Sequence, residues 1–594
     1  MRLLITALIG ADPVDLAVDA EDDARVGDLA GALAGSFPGS QPQAVGSGPP
    51  RLRVVGSSAP ASDPARTLYV GRRALDPAQP LAASDVRHGV VLGVGMPVED
   101  DLGEPHGAVE IRHVSGPGAG SVVRLDAGEY VVGTDPTCDI QVDDADLPAV
   151  CATVRVHADG SVSVEPDAAV VGRSRPAPTR SRRLEGPIVL GTEERRLVRK
   201  PRPGAVLPDG TVTVDPGADI PLVHLERTAL TGSAEWSPGA NLSVGHVLLT
   251  VQPVSPPDAS LSPNPAGATL DFNRPPRLLP PVRRTQFSLP QEPRRPEKTP
   301  VPLLMMLVPL VMGSVLWLFT HNALSLIFMA MTPVMALGNF TTGRRQGKQR
   351  YAREFAEFAD RTRRIQQEAL DGLVEERTFR RRDFADPAEV LMTAIGPRAR
   401  LWERRQTDPD FLVARVGTAD VPSEVHVNDP QRESHQGALV WTAPDVPVTV
   451  DLADVGVTGI AGTRAERLGL ARWILGQTAV LHTPADVDMV LLTDADAGPD
   501  WNWVRWLPHV RSDVGDSELA HVGVDDESTA RRIAELHAML AQRLEVAADT
   551  ASLGGGAAAP FAPVLVVLDG ARRLRLLPGV PELLQAGPRV RMYF

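Results

Sequence analysis

Alternating apolar and polar positions fill the first half of the chain, and uncharged runs occupy the middle. Over residues 1–100 the pattern predicts a strand at Arg2–Leu8, an alternating run at Val14–Val18 and a helical stretch at Val26–Ala34. Strands at Leu52–Val55, Leu68–Val70 and Val90–Val94 follow. From Ala108 to about Gln252 short strands recur at turn-punctuated spacing: AVEIRHV, SVVRL, EYVVG, DIQV, ATVRV and SVSVEP. After an Arg/Pro-rich insertion come TVTV, LVHL and NLSVGHVLLTV, so a β-sandwich is expected over 106–255. Residues 256–300 are proline-rich and polar, the composition of an extended linker.

Val301–Phe319 and Ala323–Phe340 carry no charge, and at 1.5 Å per residue each reaches the roughly 30 Å of a bilayer core. The short turn Thr320, His321, Asn322 makes two such helices antiparallel. Arg283, Arg284, Arg294, Arg295 and Lys298 precede the pair, and Arg344, Arg345, Lys348 and Arg350 follow it. The expectation is a transmembrane hairpin at 301–340 with both termini cytoplasmic, in a bacterial cell membrane. A buried helical hairpin is the alternative. Tyr351, Phe355, Phe358, Thr362, Ile365 and Ala369 then recur at helical spacing, predicting either a cytosolic stalk over 341–425 or an amphipathic helix on the next domain.

Residues 426–594 read as an α/β domain. A strand at Val448–Leu452 leads through VGVTGIAGT to a helix starting near Arg464, the order of a phosphate-binding loop. Strands Asp488–Leu492 and Val564–Leu568 have Asp494 and Asp569 just past their carboxyl ends, where α/β sheets place ligands. Laid on Gly459–Glu466, the pattern GxxxxGK[ST] keeps Gly459, and Gly462 and Thr463 lie inside the loop. Arg464 stands in place of the second glycine, Ala465 of the lysine and Glu466 of the magnesium-binding hydroxyl. Each change acts against phosphate, and no lysine occurs after Lys348 to supply the missing charge elsewhere. VLVVLDG has the form of a Walker B strand with Asp569 at the carboxylate position; a buried strand ending in a turn aspartate is the plainer alternative.

At 594 residues the chain is expected to hold three or four domains, and its net charge of −14 does not mark a nucleic-acid binder. Its two cysteines, Cys138 and Cys151, lie in no CxxC pair, which argues against a disulfide framework or zinc site and fits a reducing cytosol. MRLLITALIGADPVD reads as a first strand rather than a signal peptide.

Three tracts carry resemblances. Leu68–Gly95 looks like the last third of a ubiquitin-like fold, which makes 1–100 a β-grasp docking module. Gly128–Asp144 (GEYVVGTDPTCDIQVDD) resembles forkhead-associated (FHA) domains, which bind phosphothreonine peptides. At that family's arginine, serine and histidine positions this chain has Thr134, Pro148 and Cys151, so a docking or structural role is expected. RLWERRQTDPDFLVARVG (Arg400–Gly417) and DWNWVRWLPHVR (Asp500–Arg511) resemble the membrane ATPases of type VII secretion, the EccC/EssC group of the FtsK/SpoIIIE family.

That last resemblance implies a degenerate P-loop ATPase module over 426–594, with Gly570 where the family's catalytic glutamate would follow. It implies no catalytic residue, metal or cofactor in this chain, with ATP and magnesium reserved for modules beyond Phe594. The chain is then expected to be the N-terminal part of a longer translocase or a shortened paralogue. Its partners would be other membrane subunits of a secretion complex, further copies of itself and, through downstream modules, small secreted helical substrates. The alternatives are an FtsK/SpoIIIE-type DNA translocase, under which alone nucleic acid enters, and an FHA-based phosphopeptide scaffold.

Overall fold

The structure is a computed structural model that describes residues 1–9, 12–36, 51–55, 67–98, 105–175, 220–264, 269–278, 283–294, 323–428, 439–511, 520–552 and 561–594, with scattered helical positions between 307 and 319. The expected strand TVTV, the insertion around it, the turn at Thr320–Asn322, most of Val301–Phe319 and the glycines Gly554–Gly556 lie outside the described residues.

In the first module β1 (Arg2–Ile9) pairs antiparallel with β2 (Asp12–Ala20), and the helix Val26–Ser36 follows. β3 (Arg51–Val54) runs parallel to β2, β4 (Leu68–Val70) and β5 (Arg73–Ala74) form a hairpin, and β6 (Val91–Val94) returns parallel to β1. The order is β3-β2-β1-β6-β4-β5. Alternation places Leu3, Ile5 and Ala7 on one face, where Leu29 and Leu33 of the helix cover them. Each fully buried leucine or isoleucine stabilises by roughly 1.5–3 kcal/mol.

The second module has two sheets. β7 (Val109–Ser115), β8 (Val122–Leu125), β15 (Val223–Leu225), β16 (Thr228–Ala229), β18 (Asn241–Val244) and β19 (Val247–Pro253) make one, in the order β16-β15-β18-β19-β7-β8. β9 (Gly128–Gly133), β10 (Ile140–Gln141), β11 (Ala152–Val156), β12 (Val162–Pro166) and β17 (Ala234–Glu235) make the other, in the order β10-β9-β11-β12-β17. A short pair, β13 (Ser174–Arg175) and β14 (Ile220–Pro221), flanks the insertion. One core joins the sheets: Ile111, Leu242 and Leu249 meet Val132, Val154 and Val164 around Trp236, whose indole N–H bonds the Ala240 carbonyl at 3.0 Å. β7 is buried on both faces because the helix Pro387–Ile395, capped by Asp386, packs against it.

The segment expected as an extended tether is partly folded. It forms the hairpin β20 (Leu261–Pro263) and β21 (Leu270–Phe272), and β22 (Gln286–Ser288) joins the long antiparallel pair β23 (Val413–Asn428) and β24 (Leu439–Asp451). Charge pairing holds it down: Arg277 reaches Asp408 at 2.9 Å and Asp410 at 2.6 Å. The long helix Ala323–Asp383 lies on this sheet, with Ala369 and Ile365 packed on Phe287 and Val425. Tyr351, Phe355 and Phe358 stack along the helix, with adjacent centroids 5.9 and 6.0 Å apart.

The last module has four parallel strands, β25 (Asp488–Leu492), β26 (Val522–Gly523), β27 (Val564–Leu568) and β28 (Met592–Tyr593), in the order β26-β25-β27-β28. Met489, Leu491 and Leu565 point into one core with Ile474 and Leu475 of the helix Arg464–Leu481. Val490, Leu492, Val564 and Val566 point into another with Ile533, Leu536 and Leu540 of the helix Asp526–Ser552. A sheet covered on both faces explains why its strands read as unbroken apolar runs.

The two-pass membrane localisation is overturned. Among the described residues no helix is long and apolar enough to cross a membrane. The expected second span is not a separate element: Ala323–Phe340 opens one uninterrupted helix that continues through Arg344, Arg345, Lys348 and Arg350 to Asp383.

Candidate functional site

The parallel sheet places Asp569 at its carboxyl edge, where the amide of Asp569 donates to the Leu492 carbonyl at 2.9 Å. Gly570 follows at φ +86°, a turn conformation that glycine adopts without penalty. Two oxygens of the Asp569 carboxylate accept from the Arg464 guanidinium at 2.5 and 2.9 Å, a bidentate fork. The Trp501 indole N–H at 2.8 Å and the Thr493 hydroxyl at 3.4 Å donate to the same carboxylate. Arg464 also reaches Asp500 at 2.9 Å, and Arg472 donates to the Asp500 carbonyl at 2.6 Å. Burial pushes the Asp569 carboxyl up, but the bonds from Arg464 and Trp501 outweigh it and hold the group below the usual carboxylate range. Asp494 is held separately, accepting the Ala497 amide at 2.9 Å. A magnesium ion or a nucleotide at this edge would have to displace Arg464 from Asp569.

The helix N-terminus beside it is also filled. Thr463 is the N-cap, its backbone N–H donates to the Glu466 carboxylate at 2.8 Å, and the Glu466 amide returns a bond to the Thr463 hydroxyl at 3.4 Å. This capping box gives the anion site of a helix start to the chain's own carboxylate. The backbone bond from Thr463 holds the Glu466 carboxyl below its usual range. The carboxylate lies over the loop, since a Cβ on Gly462 would stand 2.7 Å from it, whereas nothing lies within 4 Å of a Cβ on Gly459. Ala465 is exposed and offers no charge. The strand expected to lead into this loop is the end of β24, paired antiparallel with β23 and outside the parallel sheet. The loop instead starts against Phe594, with Thr458 donating to its carbonyl at 2.7 Å.

At the loop end of the sandwich, Thr134, Pro148 and Cys151 do come together, through one carbonyl. The Thr134 hydroxyl at 3.2 Å and the Cys151 thiol at 3.4 Å both donate to the Pro148 carbonyl, while the Cys138 thiol donates to the Ala149 carbonyl at 3.4 Å. Burial pushes the Cys151 thiol up to about 11, so it stays protonated and unreactive. A groove of about 650 Å³ opens beside them, lined by Asp139, Asp143 and Asp144 and by no arginine or lysine. Nothing there matches the charge-assisted donors a phosphate needs.

Two polar junctions escape the sequence reading. The two-residue turn between β15 and β16, Glu226 and Arg227, has φ of 43° and 70° and plugs the sandwich into the neighbouring sheet and helix. Glu226 accepts from Arg381 at 2.9 Å and also pairs with Arg377; Arg227 grips Asp445 at 3.0 Å and pairs with Asp420. No local pattern marks such partners, which lie 151 to 218 positions away. The tract Arg400–Gly417, quoted above for its resemblance, is a second junction. Arg404 is 1% exposed, with a bond to the Val413 carbonyl at 2.6 Å and an ion pair to Asp410 at 3.1 Å. Trp402 bonds the Ala479 carbonyl at 3.1 Å, and Phe411 packs edge-on against His482 at 5.0 Å. His482 donates from Nδ1 to the Thr478 carbonyl at 3.0 Å and accepts the Leu412 amide on Nε2 at 3.2 Å, which assigns it the neutral form. Burial and the Arg404 charge lower its pKa to about 3.

No family model matches the chain. Among curated proteins it is 34% identical over 140 residues to the ESX-3 secretion system protein EccC3 of Mycobacterium tuberculosis, covering 21% of this chain and 10% of that protein. It is 25% identical over 295 residues to the ESX secretion system protein EccC of Thermomonospora curvata, covering 45% and 21%. The ESX secretion system protein YukB of Bacillus subtilis is 27% identical over 122 residues, covering 18% and 8%. The chain thus spans about a fifth or less of the length of these relatives. The expected resemblance to type VII secretion proteins of the EccC group holds. Among solved structures, the FHA domain of CT664 protein from Chlamydia trachomatis is similar at 16% identity, covering 24% of this chain and 96% of that one, with a TM-score of 0.15. The cytoplasmic domain of the T3SS sorting platform protein PscD from P. aeruginosa is similar at 19% identity, covering 30% and 98%, with a TM-score of 0.15. The two-sheet architecture rests on this chain's own strand pairing.

Proposed function

We propose that this chain, similar in part to EccC secretion proteins, is the docking and scaffold portion of a type VII secretion-like protein translocase, and that its α/β module passes motion on without hydrolysing ATP. The single observation that carries the non-catalytic part is the Arg464–Asp569 fork, which occupies the carboxylate a magnesium ion would need. The capping box at Thr463 and Glu466 supports it, because the Thr463 amide and the Glu466 amide are already taken, the first by the Glu466 carboxylate and the second by the Thr463 hydroxyl. The position after Asp569 is Gly570, which has no side chain to serve as a base for water.

The scaffold part is supported by the junctions. The Glu226–Arg227 turn ties the sandwich to the long helix and to the β23–β24 pair through four charged partners, and the Arg404 node ties that pair to the α/β module. A movement of one body is therefore passed to the next. For the first module, the parallel pairing of β1 with β6 across one helix supports a β-grasp docking role toward other subunits of a secretion complex.

The test is genetic. The coding sequence is deleted in its native bacterium, and the strain is complemented with the parent chain or with Asp569→Asn. The readout is the amount of small secreted proteins in the culture filtrate. Deletion is expected to lower secretion, and Asp569→Asn to restore it as fully as the parent does. Unchanged secretion after deletion contradicts the scaffold reading. A folded but inactive Asp569→Asn chain contradicts the non-catalytic one.

A further inference from the structure

We propose that the acidic groove at the loop end of the sandwich binds a lysine- or arginine-bearing peptide segment of a partner protein. The groove holds about 650 Å³, enough for a long basic side chain with its flanking backbone, and Asp139, Asp143 and Asp144 are its charged walls. Carboxylates clustered at a surface do not by themselves define a site; here a second feature points to a ligand. His113, from β7, lines the same groove, is only 3% exposed, and has no hydrogen-bond partner on Nδ1. A buried polar atom left unpaired is unfavourable. Gly118, which also lines the groove, lies over that nitrogen, since a Cβ there would stand 3.5 Å from it, and a ligand N–H that shifts this loop would meet Nδ1.

The chemistry of the ligand follows from what the walls offer. Burial lowers the His113 pKa, so the ring is neutral and its unpaired nitrogen can serve as an acceptor. The groove carries three carboxylates and, beside them, the neutral polar groups of Ser121, Thr134 and Gln141, so its charge asks for a cation rich in donors. Guanidinium and ammonium groups fit, and a phosphate would face three carboxylates with no lining arginine or lysine to offset them. The acceptors are held in place beforehand. Asp144 takes the amide and Nδ1 of His246, each at 2.9 Å, and the Asp146 amide at 3.1 Å. Asp139 takes the Val131 amide at 2.9 Å. Asp143 is exposed and has no ion-pair partner among the described residues. A bare divalent ion is the weaker occupant. The one cluster with metal-ligand geometry among the described residues is Asp144, Asp146 and His246, which excludes His113 and leaves its nitrogen unpaired. This binding does not depend on whether the chain serves secretion.

The test is fluorescence anisotropy of the whole chain with labelled nonapeptides at physiological salt. One peptide carries three arginines, a second has alanine at those positions, and a third carries phosphothreonine. The arginine peptide is expected to bind saturably and the other two weakly or not at all. The pair Asp139→Asn and Asp143→Asn, of which the first keeps an acceptor for Val131, is expected to raise the Kd at least tenfold. The pair Glu165→Gln and Glu235→Gln, exposed acids on the same module, is expected to change it less than twofold. Equal weakening by both pairs means diffuse charge attraction and overturns the proposal. So does tighter binding of the phosphothreonine peptide, equal binding of the alanine peptide, or displacement of the arginine peptide by micromolar manganese.

Discussion

The loop end of the sandwich and the carboxyl edge of the parallel sheet are the two places where the sequence pattern raised a phosphate site, and the two differ in what stands there. At the sheet edge the chain fills the site itself: Arg464 occupies Asp569, and Glu466 occupies the helix start. At the sandwich end the space stays open, with three carboxylates and no arginine or lysine in its wall. Occlusion turns a ligand site into a structural joint, whose parts now contribute stability. An open acidic groove leaves its carboxylates exposed, which is what the proposed basic peptide would meet.

The largest effect that breaks this comparison comes from rebuilding the loop. The combined change Arg464→Gly, Ala465→Lys and Glu466→Thr removes both plugs and restores GxxxxGK[ST]. Calorimetry is expected to show Mg-ATP affinity at least about tenfold above that of the parent. Silence at millimolar nucleotide would assign the exclusion to the antiparallel setting of β24 rather than to the two plugs.

Next in size is stability. Arg464→Ala leaves the Asp569 carboxylate, 12% exposed, without its fork, and urea unfolding is expected to show a loss of about 1–2 kcal/mol, held down by the 43% exposure of Arg464. Asp143→Asn at the open site is expected to stay within about 0.5 kcal/mol of the parent. Equal losses would erase the distinction between a joint and a free surface.

Gly245→Ala probes whether the open groove is nonetheless shaped. Gly245 sits at φ +59°, and a Cβ there stands 2.3 Å from the Asp144 carboxylate. The expected cost is about 1 kcal/mol from the left-handed backbone, with further loss as Asp144 is displaced. A thermal midpoint equal to the parent's would show that Asp144 is not held there.

The smallest effect is in pH. His482 is neutral in the fold with a pKa lowered to about 3, while the unfolded chain protonates near 6.5. Protons therefore favour the unfolded state below pH 6.5, and this contribution is complete above that value and lost progressively toward pH 3. Between pH 7 and 5.5 the loss is expected to be about 1 kcal/mol, read from the urea midpoint of the α/β tryptophans. Asp569 behaves in the same direction at lower pH, since its carboxyl is held below the ordinary range and its contribution disappears as pH falls through it. A midpoint that rises on acidification to 5.5 contradicts the buried neutral histidine.

What the sequence could reveal followed the range of each interaction. Strands of the sandwich were readable because alternation is local: Val154 and Val164 go inward while Arg155 and Glu165 stay out. The strands Asp488–Leu492 and Val564–Leu568 were readable because a sheet covered on both faces demands apolar runs. The departure of Arg464, Ala465 and Glu466 from GxxxxGK[ST] was readable from the residues themselves. That Arg464 goes on to close over Asp569 was not, because the two stand 105 positions apart. The Glu226–Arg227 turn was hidden for the same reason and because its positive φ pair uses residues that ordinarily avoid it. The uncharged run Ala323–Phe340 misled because composition alone does not show where a helix stops, and this one continues to Asp383.

The central claim is that the nucleotide position of the α/β module is filled by the chain's own Arg464 and Glu466. Isothermal titration of the chain with Mg-ATP tests it most directly. No saturable heat below millimolar nucleotide is the predicted result, and micromolar binding abolished by Asp569→Asn contradicts it.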